Sequence, residues 1–201
     1  MLKKKAVLWS AIALCAALAA SPAAASPATE AFIQQNFDKG YEILNSTKLT
    51  EPQRRGQFRA LLLNMVATRR FALFALGPYA ARATPQELDR FVEAFRDYGI
   101  SLYEKMLNRY DGQSLHVTGS SDRTDDDSTV QADIVSRDPS SARPINVAFR
   151  LRPNENGTLA VTDIVFEGVS VATLARVQLT ALLFQYNGDV SELSRQLNRM
   201  R

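Results

Sequence analysis

The sequence predicts an α+β fold, and three changes of pattern along the chain carry that prediction. Apolar residues recur at three- and four-residue intervals from Pro27 to about Gly112, the period shortens to two between Gln113 and Glu167, and helical spacing returns from Val169 onward. Consecutive strands joined by short links pair antiparallel. The expected architecture is therefore a curved four-stranded antiparallel sheet covered by helices, with an N-terminal helical lobe.

Residues 1–25 stand apart from the rest. Lys3, Lys4 and Lys5 precede an apolar run from Ala6 to Ala20, then Pro22 and Ala23-Ala24-Ala25, which is the pattern of a secretory signal peptide cleaved before Ser26. The run has about fifteen apolar residues, short of the roughly 20 that cross a bilayer. Cys15 follows Leu14, where lipid attachment would need a small residue. This leader holds three Lys and no acid, so the 24 Lys+Arg against 21 Asp+Glu of the whole chain become 21 of each in residues 26–201. A neutral body lacks the positive excess that drives nucleic-acid binding, and no nucleic-acid partner is expected. It also lacks any Cys, which removes disulfides, thiolate metal sites and a Cys nucleophile; for an exported bacterial chain this points to the periplasm.

Residues 26–201 read as one domain: a helical part over 26–112, a sheet over 113–167 and C-terminal helices over 168–201. Phe32, Ile33, Phe37, Tyr41, Ile43 and Leu44 give the first helix its apolar face, and Thr50-Glu51-Pro52-Gln53 is a capping box opening a second helix that buries Phe58, Leu61, Leu62, Met65 and Val66. The short apolar segment from Arg69 to Tyr79 is broken by Gly77-Pro78. Thr84-Pro85-Gln86-Glu87 combines an N-cap, Pro at the first helical position and Glu three residues after the cap. The long helix it opens carries Leu88, Phe91, Val92, Phe95, Leu102, Tyr103, Met106 and Leu107 on one side, and Asp111-Gly112 stops it.

Strands are expected at 115–119, 129–136, 145–151 and 159–166, with Ser120–Ser128, Asp138-Pro139-Ser140 and Asn154-Glu155-Asn156-Gly157 as links. Val147, Phe149 and Leu151 share one strand face. Asp125-Asp126-Asp127 lacks the regular ligand spacing of a calcium loop and reads as a solvated hairpin tip. Helix resumes from Val169 to Tyr186, Asn187-Gly188 breaks it, and Asp189 or Ser191 caps a last helix ending near Met200.

Taken in order, Phe74-Ala75-Leu76-Gly77-Pro78-Tyr79, Ala83-Thr84-Pro85, Phe91–Phe95, Tyr110-Asp111-Gly112 and Thr162-Asp163-Ile164-Val165-Phe166-Glu167-Gly168-Val169-Ser170 resemble the MlaC-like periplasmic phospholipid carriers, also called the toluene-tolerance family. The sequence departs from the family pattern at Leu159, where the family has Trp, and at Arg176-Val177-Gln178-Leu179. The resemblance implies a carrier without enzymatic activity that holds phospholipid acyl chains in an apolar cavity between helices and sheet. It also implies transient partners, an inner-membrane ABC lipid transporter complex and an outer-membrane lipoprotein complex, which together maintain outer-membrane lipid asymmetry. No cofactor is implied, and the body has neither a P-loop nor a Gly-rich dinucleotide fingerprint.

The lipid-contact residues that the resemblance implies are Phe71, Phe74, Leu76, Tyr79, Phe95, Leu102 and Tyr103 from the helices, Val147, Phe149, Leu151, Ile164 and Phe166 from the strands, and Val169 after them. Ala75 and Val147 are positions where a larger side chain is expected to compete with ligand for space. Arg69 and Arg70 either attract a phosphate or form a solvated edge, and Arg54, Arg55 and Arg59 are candidates for docking on membrane complexes. Two other classes remain open. A curved sheet with helices is similar to the NTF2-like architecture, which hosts isomerases and hydratases, and such chemistry would draw on Asp133, Asp163, His116 or the tyrosines. Alternation turns His116 outward, and Asp163 is expected to receive backbone amides from a turn. The other class is a periplasmic adaptor or chaperone without bound ligand.

Overall fold

A computed structural model describes residues 27–107, 110, 112–138 and 143–201 of the chain. The segment expected to be a signal peptide, with Cys15, lies outside the described residues, as do Asp111, Pro139 and Ser140 and the side chains of Met106 and Leu107. Helices α1 (Pro27–Leu44), α2 (Glu51–Met65), α3 (Thr68–Leu76) and α4 (Pro85–Leu107) come first, with a 3-10 turn at Gly77–Ala81 between the last two. Strands β1 (Ser114–Thr124), β2 (Asp127–Val135), β3 (Ile145–Pro153), β4 (Leu159–Phe166) and β5 (Val169–Ser170) follow, and α5 (Val171–Gln185) and α6 (Val190–Arg199) close the chain. The helix starts are those that the local chemistry dictates. Gln53 reaches back to accept the Thr50 N–H at 2.9 Å, and Glu87 accepts that of Thr84 at 2.8 Å. Asp189, not Ser191, caps α6 by accepting the Glu192 N–H, and the Ser191 hydroxyl donates to Glu87 instead.

The strands form one antiparallel sheet in the order β1-β2-β3-β4-β5, so the sequence misses one strand. Glu167 and Gly168 both take left-handed φ, 46° and 81°, and make a two-residue turn that reverses the chain and pairs Val169 with Phe166. Glu167 is held there by β3: its carboxylate accepts the Asn146 N–H at 2.8 Å and its own N–H donates to Asn146 O. The link expected over Ser120–Ser128 is also corrected, because β1 and β2 run on until only Asp125-Asp126 remains as the turn.

Asp127 is the reason for that extension. Only 3% exposed, it is not part of a solvated tip. Its carboxylate receives both Nε and Nη2 of Arg150 at 2.9 and 2.8 Å and Nη2 of Arg152 at 2.6 Å, across the β2–β3 ladder.

One face of the sheet is apolar across its width. Leu115 and Val117 of β1, Val130, Ala132 and Ile134 of β2, and Val147, Phe149 and Leu151 of β3 fall on it by register. In β4 the pairing skips Thr162, which sits between Asp163 opposite Arg150 and Val161 opposite Leu151. This bulge shifts the alternation by one residue, and so Leu159 and Val161 share the face with Ile164 and Phe166 although their numbers differ in parity.

The helices divide between two cores, and neither is an N-terminal lobe. Ile33 of α1 and Met65 of α2 are buried against the sheet face with Leu115, Val130, Val147, Phe149, Leu151 and Val161. The second core is wholly helical and joins both ends of the chain: Ala72, Ala75 and Leu76 of α3 and Phe91 and Ala94 of α4 pack with Leu179 and Leu183 of α5 and Val190, Leu193 and Leu197 of α6. The α2–α3 link ties the cores together through the Ala67 N–H, which donates to Val161 O at 2.9 Å.

Replacing Asp127 by Ala leaves two arginines without their common partner. Urea unfolding should register a loss of about 3 kcal/mol, the low end for a broken interior ion pair because both guanidinium groups stay partly hydrated. A loss below about 1 kcal/mol would mean that the network adds little to the hairpin.

Candidate functional site

Around the sheet core the chain places apolar side chains that protein atoms only partly cover. From the sheet face come Val117, Ile134, Leu159, Ile164 and Phe166, and from α1 and α2 come Phe32, Phe37, Tyr41, Leu62 and Val66; all pack on the sheet core yet remain half-buried. Phe37 meets the ring of Phe149 edge-on at 5.3 Å. Aromatic pairs build the other wall, Phe71 of α3 with Phe95 of α4 at 5.8 Å and Phe91 with Phe95 at 5.8 Å, and Phe58 of α2 with Tyr103 of α4 at 6.0 Å links α4 to α2.

Tyr103 defines the character of this region. It is enclosed by protein, and burial pushes the pKa of its hydroxyl up, yet its side chain keeps accessible surface.

The thirteen residues taken from the sequence separate into three groups. Val147, Phe149 and Leu151 form the floor of the sheet face, with Ile164 and Phe166 beside them at half-burial; Phe71, Phe95 and Tyr103 line the helical side. Leu76 is fully buried in the helical core, and Tyr79 packs against that core, its ring against the Gly188 backbone. Phe74, Leu102 and Val169 are exposed. The walls also include residues that the sequence reading passes over, namely Val117 and Ile134 and the α1 pair Phe32 and Phe37. The available signals were alternation within β2 for Ile134 and helical spacing within α1 for Phe32 and Phe37. Ala75 and Val147 are fully buried in the two separate cores, so a larger side chain there strains packing instead of filling open space.

The polar groups considered for chemistry have structural partners. Asp163 accepts the Ala172 N–H at 2.9 Å and the Ser170 hydroxyl at 2.6 Å, which fixes the N-terminus of α5 onto β4. His116 is exposed on the opposite sheet face, across from Asp133, with Ser114 Oγ at 3.1 Å from its Nε2. Among the described residues, no group of three or more His, Cys, Asp or Glu is arranged to hold a metal ion. Two shallow pockets on the described surface are lined largely by polar residues, although the second exposes more apolar than polar surface. One, about 230 Å3, lies among Arg90, Glu93, Asp97, Ser191 and Arg195. The other, about 340 Å3, lies among Tyr41, Asn45, Tyr110 and Arg137, and burial there pushes the Tyr41 hydroxyl up to about 12.

An experimental structure of a phospholipid-binding protein from Ralstonia solanacearum, solved with a phospholipid bound, matches this fold with a TM-score of 0.70 at 18% sequence identity, over 85% of this chain and 97% of its own. At that identity the likeness is one of fold. The sequence profile of the MlaC protein family matches residues 34–199. The chain belongs to the MlaC family.

The stretches that resemble the MlaC family in sequence hold the two walls in place. Gly77 has φ 61° and lets the Arg176 guanidinium lie against it, where a Cβ would come within 3.0 Å of Nε; the same guanidinium stacks on Phe74 at 4.5 Å. Thr162–Ser170 contains the bulge, the wall residues Ile164 and Phe166, the left-handed turn and the α5 cap in succession.

Volume added at a wall position and at a core position should therefore act differently. Ala75→Leu is expected to lower unfolding stability by about 1–3 kcal/mol, whereas Ile164→Trp, at a half-buried position, should cost less than about 1 kcal/mol. Equal losses in chemical denaturation would mean that the space beside Ile164 is already filled.

Proposed function

We propose that this chain is a periplasmic phospholipid carrier, delivered by its signal peptide, that holds acyl chains between the sheet face and the aromatic wall and passes lipid between inner- and outer-membrane complexes of an ABC-type transport system. The observation that carries this reading is the set of apolar side chains left half-covered around the sheet core, in a member of the MlaC family whose structural neighbour binds phospholipid. Two acyl chains with roughly 30 methylenes lose on the order of 20 kcal/mol of transfer free energy in water, at about 0.8 kcal/mol per methylene. An apolar pocket removes most of that barrier to crossing an aqueous compartment, and no bond need be made or broken. Energy for directed transport would come from the transporter. Lipid contact is assigned to Phe71, Phe95, Tyr103, Ile164 and Phe166, together with Val117, Ile134, Phe32 and Phe37, while Val147, Phe149 and Leu151, buried in protein, form the layer beneath them. No helix among the described residues is long and apolar enough to cross a membrane.

Native mass spectrometry of gently purified protein tests the reading directly. The expected result is a bound phospholipid, displaced in Ile164→Trp while the fold is kept; consistently empty protein would favour an adaptor. The Asp163 contacts give a second test, aimed at chemistry. Asp163→Asn retains an acceptor for α5 and should keep both lipid and fold, while Asp163→Ala should cost about 1–3 kcal/mol through unpaired polar groups. Product formation from envelope lipids by wild type, lost in a folded Asp163→Asn variant, would replace the carrier by an isomerase or hydratase.

A further inference from the structure

Helix α5 turns a continuous apolar stripe away from the protein. Leu174, Val177 and Phe184 are 48, 62 and 81% exposed, and with the exposed Ala181 they recur at three- and four-residue spacing along about 15 Å of one helix face. The buried side of the same helix is occupied by Ala172, Leu179 and Leu183, so the stripe has no partner within the described chain. Phe74 of α3, 43% exposed, extends it sideways through the Arg176 guanidinium stacked on its ring.

The charge of this surface is one-sided. Neither α3 nor α5 contains an acid, and between them they carry Arg69, Arg70 and Arg176. Arg69 is paired with Asp89 of α4. Arg70 lies one turn before Phe74 on the same side of α3 and makes no ion pair among the described residues. Exposed aromatic and aliphatic groups beside unneutralised arginines, on helices free of acid, complement a surface that is apolar inside and anionic outside. A second copy of the chain fits less well, because a two-fold contact would set the same arginines against one another.

We propose that the α3–α5 face docks directly on the headgroup layer of an anionic phospholipid bilayer, with Val177 and Phe184 inserting and Arg70 and Arg176 meeting phosphates. This surface is distinct from the apolar walls between the cores and stands without the carrier reading. The two are nevertheless close in the fold: Phe71, three residues before Phe74 on α3, is buried against Phe95.

The test is co-sedimentation of the mature chain with vesicles of phosphatidylglycerol and phosphatidylcholine, compared with phosphatidylcholine alone. Wild type should partition onto the anionic vesicles and dissociate as NaCl rises from 0.1 to 1 M, where the screening length falls from about 10 to 3 Å. The double variant Val177→Ser/Phe184→Ser should partition at least about tenfold more weakly, and Arg70→Gln about fivefold more weakly. Both should keep the wild-type circular dichroism and thermal midpoint, since the altered side chains are exposed. Bound phospholipid is measured on the same samples, so lost vesicle binding with retained lipid separates this surface from the cavity. Wild type that stays in the supernatant with anionic vesicles, or a double variant that sediments as well as wild type, overturns the proposal. If wild type ignores vesicles but the double variant loses binding to the purified transporter, the face is a protein dock and the bilayer assignment fails.

Discussion

Val130, Ala132 and Ile134 of β2 lie between the apolar side chains of β1 and β3, so the sheet carries one uninterrupted apolar face that water must not meet. At about 25 cal/mol for each Å2 buried, covering such a face outweighs any local preference of the helices. The chain covers part of it with α1 and α2 and draws α3 onto it by the Ala67–Val161 hydrogen bond. Covering the remainder with helices would have left an ordinary core. Instead α4 packs mainly on α3 and α6, the helical core closes on itself, and the walls between the cores stay half-covered.

Two polar devices keep those walls from collapsing or slipping. Asp127 with its arginines locks β2 against β3 on the face opposite the apolar one, so the register that aligns Val130 with Phe149 does not depend on what lies between the walls. Asp163 docks the start of α5 on β4 through Ser170 and Ala172, and α5 in turn carries the helical core. The relative position of the walls thus rests on hydrogen bonds and ion pairs outside the apolar space. Contacts on these walls can therefore vary without loss of the frame.

Most of the helices were legible because their caps and apolar spacing are local properties: Thr84, Pro85 and Glu87 specify the start of α4 whatever surrounds them. The single strand face of Val147, Phe149 and Leu151 was equally local. What escaped depends on residues far apart in sequence. Asp127 reads as a third turn aspartate until Arg150 and Arg152 are brought beside it, more than twenty residues later. The fifth strand has only two residues, and Glu167 adopts its left-handed conformation because Asn146 of β3 holds it. Leu76 and Tyr79 carry the same apolar signal as Phe71; which way a side chain on α3 faces was settled only when α5 and α6 returned from the far end of the chain to bury them. Val117 and Ile134 were missed for the converse reason, since the bulge at Thr118 and the polar neighbours of β1 obscure its alternation.

The half-covered walls also bear on how tightly a carrier of this design can hold its cargo. Unfilled apolar space costs a protein roughly 24 cal/mol per Å3, so under the proposed function the empty form is the less stable one and a bound acyl chain stabilises the fold by mass action. That gain cannot grow without limit, because affinity far beyond that of a bilayer would prevent release. Under the proposed function both demands are met by a fixed layer beneath, Val147, Phe149 and Leu151 buried in protein, and adaptable edges above it, Phe32, Phe37 and Phe166, which protein only partly covers. Side chains of the second kind can close over a vacant site and reopen for a lipid at the cost of rotamer changes, which is small beside the apolar area exchanged. Loading and release then become a competition between two apolar environments of similar quality, and contact with the membrane or its complexes determines which of them the lipid occupies.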